Sequence, residues 1–180
     1  DTVISGCFTD IRGKQVRDLT LEAFDLNNLN RSGYLTKLNV AKTVPYMYAG
    51  RLDESGQIQY SEDYYVPQAQ TSFAWETFLD KLQRGSKLVL TNDVESAPEF
   101  FYSTSVKTDY MEGYDESILG KPLDGTPCCL VSTDLMKQYD LHYGETIRLA
   151  ILVSRFQEID VRIIGSFERR EARTISIASW

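Results

Sequence analysis

The stretch from Cys128 to Phe167 constrains the fold more than any other part of the chain. Cys128-Cys129-Leu130-Val131 is a short apolar run of strand type, and the Gly/Pro cluster from Gly120 to Pro127 marks a turn ahead of it. Ser132 or Thr133 then caps a compact helix through Tyr139. A hydroxyl at that position accepts from the free N–H groups of the first turn, and Leu135 and Tyr139 share a face at i, i+4. Leu141-His142-Tyr143-Gly144-Glu145 turns the chain sharply, with Gly144 supplying a backbone angle that other residues resist. From Thr146 to Val153, the residues Ile147, Leu149, Ile151 and Val153 alternate onto one face. After a polar turn Val161, Ile163 and Phe167 do the same, with Gly165 between them. Two alternating runs joined by a polar turn predict a β-hairpin.

The remaining segments are shorter and less regular. Thr2–Arg12 and Lys14–Val16 read as extended. Thr20 is placed as the cap of a helix carrying Glu22 in its first turn, an Ala23/Leu26/Leu29 stripe, and Gly33 as its stop. Tyr34 to Ala49 reads as a long extended stretch in which Pro45 indicates an edge or a bulge. Gln57-Ile58-Gln59-Tyr60 alternates between turn signals and reads as a hairpin arm. Phe73 to Arg84 reads as a helix with Phe73, Phe78 and Leu82 on one side and Gly85 at its end. Lys87–Leu90 reads as a strand ended by Asn92-Asp93, and Phe100–Val106 and Tyr110–Gly113 read as extended. Short helices on antiparallel or mixed sheets make the class α+β. Two lobes are expected, residues 1–50 and residues 51–180, the second containing the helix-turn-hairpin unit at 128–167.

Composition removes several functional classes. With 19 Lys+Arg against 26 Asp+Glu the net charge is −7, so a nucleic-acid partner is not expected: no basic surplus replaces the counterions of a phosphate backbone. The longest apolar run, Leu149-Ala150-Ile151-Leu152-Val153, falls far short of the roughly 20 residues of a membrane-spanning helix. Asp1 opens the chain without a Met, and the alternation Ile175-Ser176-Ile177-Ala178 runs up to Trp180, which reads as a piece of a longer protein. Cys128 and Cys129 are too close to pair with each other. Cys7 bridges one of them in an oxidising compartment, or all three are buried apolar thiols, the preferred reading.

No reaction centre is legible. His142 is the single histidine and lies in the turn, so a Ser-His-Asp or Cys-His site has no second candidate. Asp109, Glu112, Asp115 and Glu116 cluster without the spacing of a calcium loop, and read as a solvated loop. No phosphate-cradling Gly motif is present, so no cofactor, metal site or catalytic residue is assigned. Tyrosine is abundant at 11 residues, mostly as sheet and core filling. Tyr60, Tyr64 and Tyr65, in the polar stretch Gly50–Thr71, are the candidate partner contacts.

The stretch from Cys129 through Thr146 and Leu149, with the later Val161-Arg-Ile-Ile-Gly165, resembles a signature of the extracytoplasmic domains of FtsX-like ABC-transporter permeases, the MacB-type periplasmic core. Leu88-Val-Leu-Thr-Asn-Asp93 with Pro98, Phe100 and Gly113-Tyr114-Asp115 is similar to an upstream part of that domain. Leu19-Thr20 to Ser32-Gly33-Tyr34 is similar to its first helix and exit strand; residues 51–85 are not covered. The resemblance implies a non-catalytic domain between membrane helices on the extracytoplasmic face of the cell membrane. Such a domain couples ATP-driven permease motion to an exported substrate or an extracellular protein, with an ATP-binding subunit as partner through the membrane part. The family's returning strand–helix–strand after Gly165 is not present up to Trp180. Two alternatives are carried forward: a cofactor-binding double-psi β-barrel-like domain of a soluble enzyme, which shares the Leu-x-x-Gly turn, and a secreted carbohydrate-binding protein using the Tyr60, Tyr64 and Tyr65 group.

Overall fold

A computed structural model describes residues 41–91, 106–119 and 121–169, with the short strands Thr2–Ile4 (β1), Phe8–Thr9 (β2), Gln15–Val16 (β3) and Leu19–Leu21 (β4) and single helical positions at 28 and 31. The chain groups into two compact units, Asp1–Thr43 with Leu88–Thr104, and Val44–Lys87 with Ser105–Trp180. In the first, β1 pairs antiparallel with β4, Thr20 opposite Val3, and β2 pairs with β3. Thr20 is therefore a strand residue and not a helix cap: Leu-Thr-Leu suits a β-ladder, and the partner strand Thr2–Ile4 satisfies its backbone. Apart from the helical positions 28 and 31, the rest of the expected first helix lies outside the described residues, as do Tyr34–Val40, Asn92-Asp93, Pro98, Phe100–Ser105, Ile175–Trp180 and Cys7 with its pairing.

The larger element set is mixed α+β but dominated by one sheet. It contains Ala41–Leu52 (β5), Ile58–Tyr60 (β6), Ser86–Thr91 (β7), Val106–Tyr110 (β8), Pro122–Leu123 (β9), Thr126–Ser132 (β10), Thr146–Leu152 (β11) and Phe156–Arg169 (β12). Its order is β6-β5-β11-β12-β10-β9, with β7 also on β5 and β8 also on β12. Among the described residues these pairings form a branched path, not a closed ring. The helices are Phe73–Arg84 (α1) and Thr133–Gln138 (α2). Neither is long and apolar enough to cross a membrane.

The expected hairpin is β11 with β12, paired from Thr146↔Arg162 to Leu152↔Phe156. Val153 falls past the strand end and is exposed, because the chain turns there. The unit holds a relationship that strand periodicity does not encode: β10 lies parallel to β12, from Cys128↔Arg162 to Ser132↔Phe167, and α2 begins the return. The register slips between Cys129 and Leu130, leaving Ile164 as the extra residue of a bulge. Gly165 follows it because a Cβ there would lie 2.4 Å from the Asp109 carbonyl oxygen and 2.6 Å from Leu130 Cδ2. The backbones of β8 and β12 come too close for any side chain.

Local signals explain both helices. The Ser72 hydroxyl accepts from the Trp75 N–H of α1 at 3.2 Å, Glu76 sits at the positive end, and Lys81 and Arg84 sit at the negative end. Trp75, Phe78 and Leu82 form its buried stripe. Phe73 is 83% exposed, not on that stripe, because it precedes Trp75 by roughly 200° of helix rotation. In α2 the Ser132 hydroxyl accepts from the Leu135 N–H at 3.2 Å, which settles Ser132 as the cap. Pro45 stands one residue ahead of the Tyr46–Arg51 stretch paired with β11, so its missing N–H removes no bond from that ladder. The strand is interior rather than an edge, and its bulge lies further on, between Tyr48 and Gly50. Met111–Gly113 is a turn, not the extended run expected from Tyr110 to Gly113, since β8 ends at Tyr110. The expected turn at 120–127 is a two-residue hairpin: Asp124 (φ 52°) and Gly125 (φ 81°) both take positive φ, as the twist of paired strands requires, and join β9 to β10.

Two cores flank the sheet. Ile147, Leu149 and Ile151 are buried with Val161, Ile163 and Leu141. An aromatic cluster of Tyr64, Trp75, Phe78, Ala49 and Ala150 is joined by Met47, Val66, Leu79 and Phe156. Phe156 meets Trp75 and Phe78 edge-on, each at 5.4 Å between centroids, the arrangement ring quadrupoles favour. Each fully buried aromatic or branched side chain contributes about 1.5–3 kcal/mol, so α1 is held mainly by its stripe.

Candidate functional site

The three tyrosines singled out from the sequence do not form one exposed group. Tyr65 is 72% exposed and Tyr60 50% exposed, whereas Tyr64 is only 8% exposed and belongs to the aromatic core. Tyr64 faces inward because it packs edge-on against Phe78 and its hydroxyl donates to Glu158 Oε1 at 2.8 Å. Burial first, and the Glu158 carboxylate second, raise its phenol pKa above the ordinary value. Tyr60 stacks on Tyr64 at 5.8 Å and donates to Glu158 Oε2 at 3.3 Å. One carboxylate thus fixes both rings, one inside and one at the surface.

Strand register extends this pair into a row. Tyr60 lies opposite Gly50, Gly50 opposite Arg148, and Arg148 opposite Asp160, across β6, β5, β11 and β12. Arg148 forms two bonds to Asp160, Nε–Oδ1 at 2.7 Å and a terminal nitrogen to Oδ2 at 3.0 Å, and approaches Glu158 at 3.9 Å. Hydrogen bonding to Asp160, and to Tyr60 after it, raises the Arg148 pKa further above its already high value. The donors and acceptors of the row are aimed at one another. Chemically the row holds Tyr60 in place and presents its ring face.

The other candidate groups are tied into the fold one by one. His142 is exposed; its backbone N–H donates to Glu145 Oε2 at 2.8 Å, and its ring lies 3.8 Å from both Asp140 and Glu145. Glu145 also accepts from Arg51 at 3.3 Å, and Arg51 reaches the Tyr139 and Asp140 carbonyls that end α2. Asp109 and Asp115 serve different elements. Asp109 takes the Tyr143 hydroxyl at 2.7 Å, beside buried Ser166, and Asp115 caps a single 3₁₀ turn through the Ser117 N–H at 2.8 Å. Among the described residues no three His, Cys, Asp or Glu side chains gather into a metal-binding group. Cys128 and Cys129 are free thiols; burial raises the pKa of both, that of Cys129 to about 12.

Arg148, Glu158 and Asp160 escaped the reading of the sequence. Their charges stand at alternate positions of two strands, which by itself signals only a solvated face. Knowing that Arg148 faces Asp160 requires the hairpin register, and knowing that Tyr60 joins them requires two further strands. Comparison of the chain with family models, curated proteins and solved structures returns no match.

Proposed function

We propose that this chain acts through contact and mechanical coupling, as an extracytoplasmic domain of the FtsX/MacB-like permease kind, without a reaction centre of its own. The observation that carries the reading is the unit from Cys128 to Gly165, where four residues of the resemblance have local structural tasks. Ser132 caps the helix, Leu141 is buried beneath the turn, Gly144 takes φ +89°, and the hairpin partner closes on Gly165. Groups that chemistry would need are committed to that frame: the Ser132 hydroxyl to α2, and Glu145 to Arg51 and the His142 N–H. A sheet braced in this way transmits displacement between its edges with little internal give. The ATP-binding subunit, and an exported molecule or extracellular protein, are the partners in this reading.

The test uses the parent protein in its own cells. Protease added outside intact cells should cleave it within this domain, and detergent extracts should co-purify an ATP-binding subunit with it. A product found in the soluble fraction after lysis, with no such subunit attached, would overturn the proposal.

A further inference from the structure

We infer that β6 is a docking edge for an extended, basic polypeptide segment, which adds to the sheet as one more strand beside Tyr60. The inference rests on the contact role proposed above and names the class of partner. It starts from backbone geometry. β6 ends the sheet order, and among the described residues β5 is its one strand neighbour. The Ser61 N–H donates to the Ala49 carbonyl at 2.8 Å and the Asp53 N–H to the Gln57 carbonyl at 2.9 Å. In an antiparallel ladder bonded and non-bonded pairs alternate, so Gln59 faces β5 while Ile58 and Tyr60 turn their N–H and C=O groups outward. Proteins blunt such an edge with a short strand, Lys or Pro; β6, Ile58-Gln59-Tyr60, is short but carries neither Lys nor Pro.

Charge selects the occupant. From Leu52 to Asp80 the chain carries Asp53, Glu54, Glu62, Asp63, Glu76 and Asp80, and no Lys or Arg. Glu54, Glu62 and Asp63 are exposed and flank β6 in sequence. Of the neighbouring basic groups, Arg148 is already matched by Asp160, and Arg51, opposite Gln59 on β5, is turned to Glu145. The ring of Tyr60, locked by Tyr64 and Glu158 yet half open to solvent, offers a face to an ammonium or guanidinium group. A second copy of this chain would bring the same carboxylates against one another. An extended Lys- or Arg-bearing strand brings opposite charge, backbone partners for Ile58 and Tyr60, and a cation for the ring.

The probe is an eight-residue peptide alternating Lys with Val, titrated into the 180-residue chain by calorimetry. Its controls are an alternating Glu-Val peptide and a Lys-Val peptide N-methylated along one edge. Binding of the first alone is expected, weakening at least tenfold between 50 and 300 mM salt. Ile58→Pro leaves the β5 ladder intact, because the Ile58 N–H points away from it, and should weaken binding at least tenfold with melting temperature unchanged. The Glu62→Lys/Asp63→Lys double variant should weaken it similarly. Equal binding of the methylated peptide, or of Glu-Val, overturns the inference, as does the absence of any binding. A concentration-dependent dimer abolished by Ile58→Pro would assign the edge to self-association and overturn it too. None of these outcomes depends on where the parent protein resides, so they stand apart from the fractionation result.

Discussion

Arg148 on β11 and Asp160 directly opposite on β12 form a two-bond ion pair at 2.7 and 3.0 Å, and this pair anchors the polar row that ends at Tyr60. Both side chains are between a quarter and a third exposed, so solvent screens part of the attraction. Arg148→Ala is expected to cost about 1–2 kcal/mol of unfolding free energy in urea titrations. In a double-mutant cycle with Asp160→Ala most of that loss should appear as coupling between the two sites. A coupling near zero would show that the pair is ornamental.

Adjacent tyrosines should behave in opposite ways. Tyr64→Ala removes a core ring and leaves Glu158 without its shorter hydrogen bond, so a loss of at least about 3 kcal/mol is expected. Tyr65→Ala should stay within about 0.5 kcal/mol of the parent. The raised Tyr64 pKa adds a pH signature. Its neutral phenol is the form the fold favours, so this stabilisation is fully present below the ordinary value of 10.0 and is lost as pH rises through the higher folded value. In an alkaline absorbance titration Tyr64 should ionise only with unfolding, and the parent and Tyr64→Phe should titrate alike until then.

Gly144 tests the turn itself. Its φ of +89° strains any L side chain, yet a Cβ there would find its nearest atom, Met111 Sδ, at 3.8 Å. A Cβ is therefore not crowded, and Gly144→Ala isolates the backbone cost. A loss of more than about 1 kcal/mol is expected, read as a melting temperature lower by about 2–4 °C. An unchanged melting temperature would refute the turn geometry.

The Asp53 carboxylate orders the β5–β6 turn by accepting from the Ser55 hydroxyl at 2.6 Å and the Ser55 and Gln57 N–H groups at 2.9 Å. These bonds, that of the Ser55 hydroxyl foremost, lower its pKa from the ordinary 3.8. A depressed folded value means stabilisation present above the unfolded pKa and lost as pH falls through the folded one. The stability difference between the parent and Asp53→Ala should therefore be constant from pH 7 down to about 5, and should shrink as pH falls below 3.8. A difference that persists at pH 2 would assign the effect to packing.

Local chemistry was the legible part of this chain. The span of α1, the capped helix α2, the positive φ at Gly144 and the β11–β12 hairpin all follow from residues a few positions apart, where capping, turn preference and alternation act directly. What escaped depends on register between distant segments. The parallel pairing of β10 with β12 needs a returning strand whose partner no local pattern names. Tyr64 and Tyr65 are adjacent copies of the same residue, and the packing of Phe78 and the position of Glu158 decide which is buried. Thr20 went astray for a related reason. Its helix-cap chemistry is real, but Leu19–Leu21 gains a ladder with Thr2–Ile4 that capping alone cannot match.

Cys128 and Cys129 give a last, purely chemical prediction. Consecutive strand residues project to opposite faces, so the two thiols, although neighbours in sequence, do not share an environment. Burial holds the Cys129 pKa at about 12 against an ordinary 9.0, which cuts the reactive thiolate at neutral pH about a thousandfold before access is considered. With iodoacetamide at pH 8, native Cys129, half-buried and poor in thiolate, should be modified far more slowly than in urea, where it should react at the rate of a free thiol. Peptide mapping by mass spectrometry, with fragmentation between the two cysteines, separates their labels. Modification of native Cys129 as fast as in urea would show that its surroundings in β10 do not hold the thiol in its neutral form.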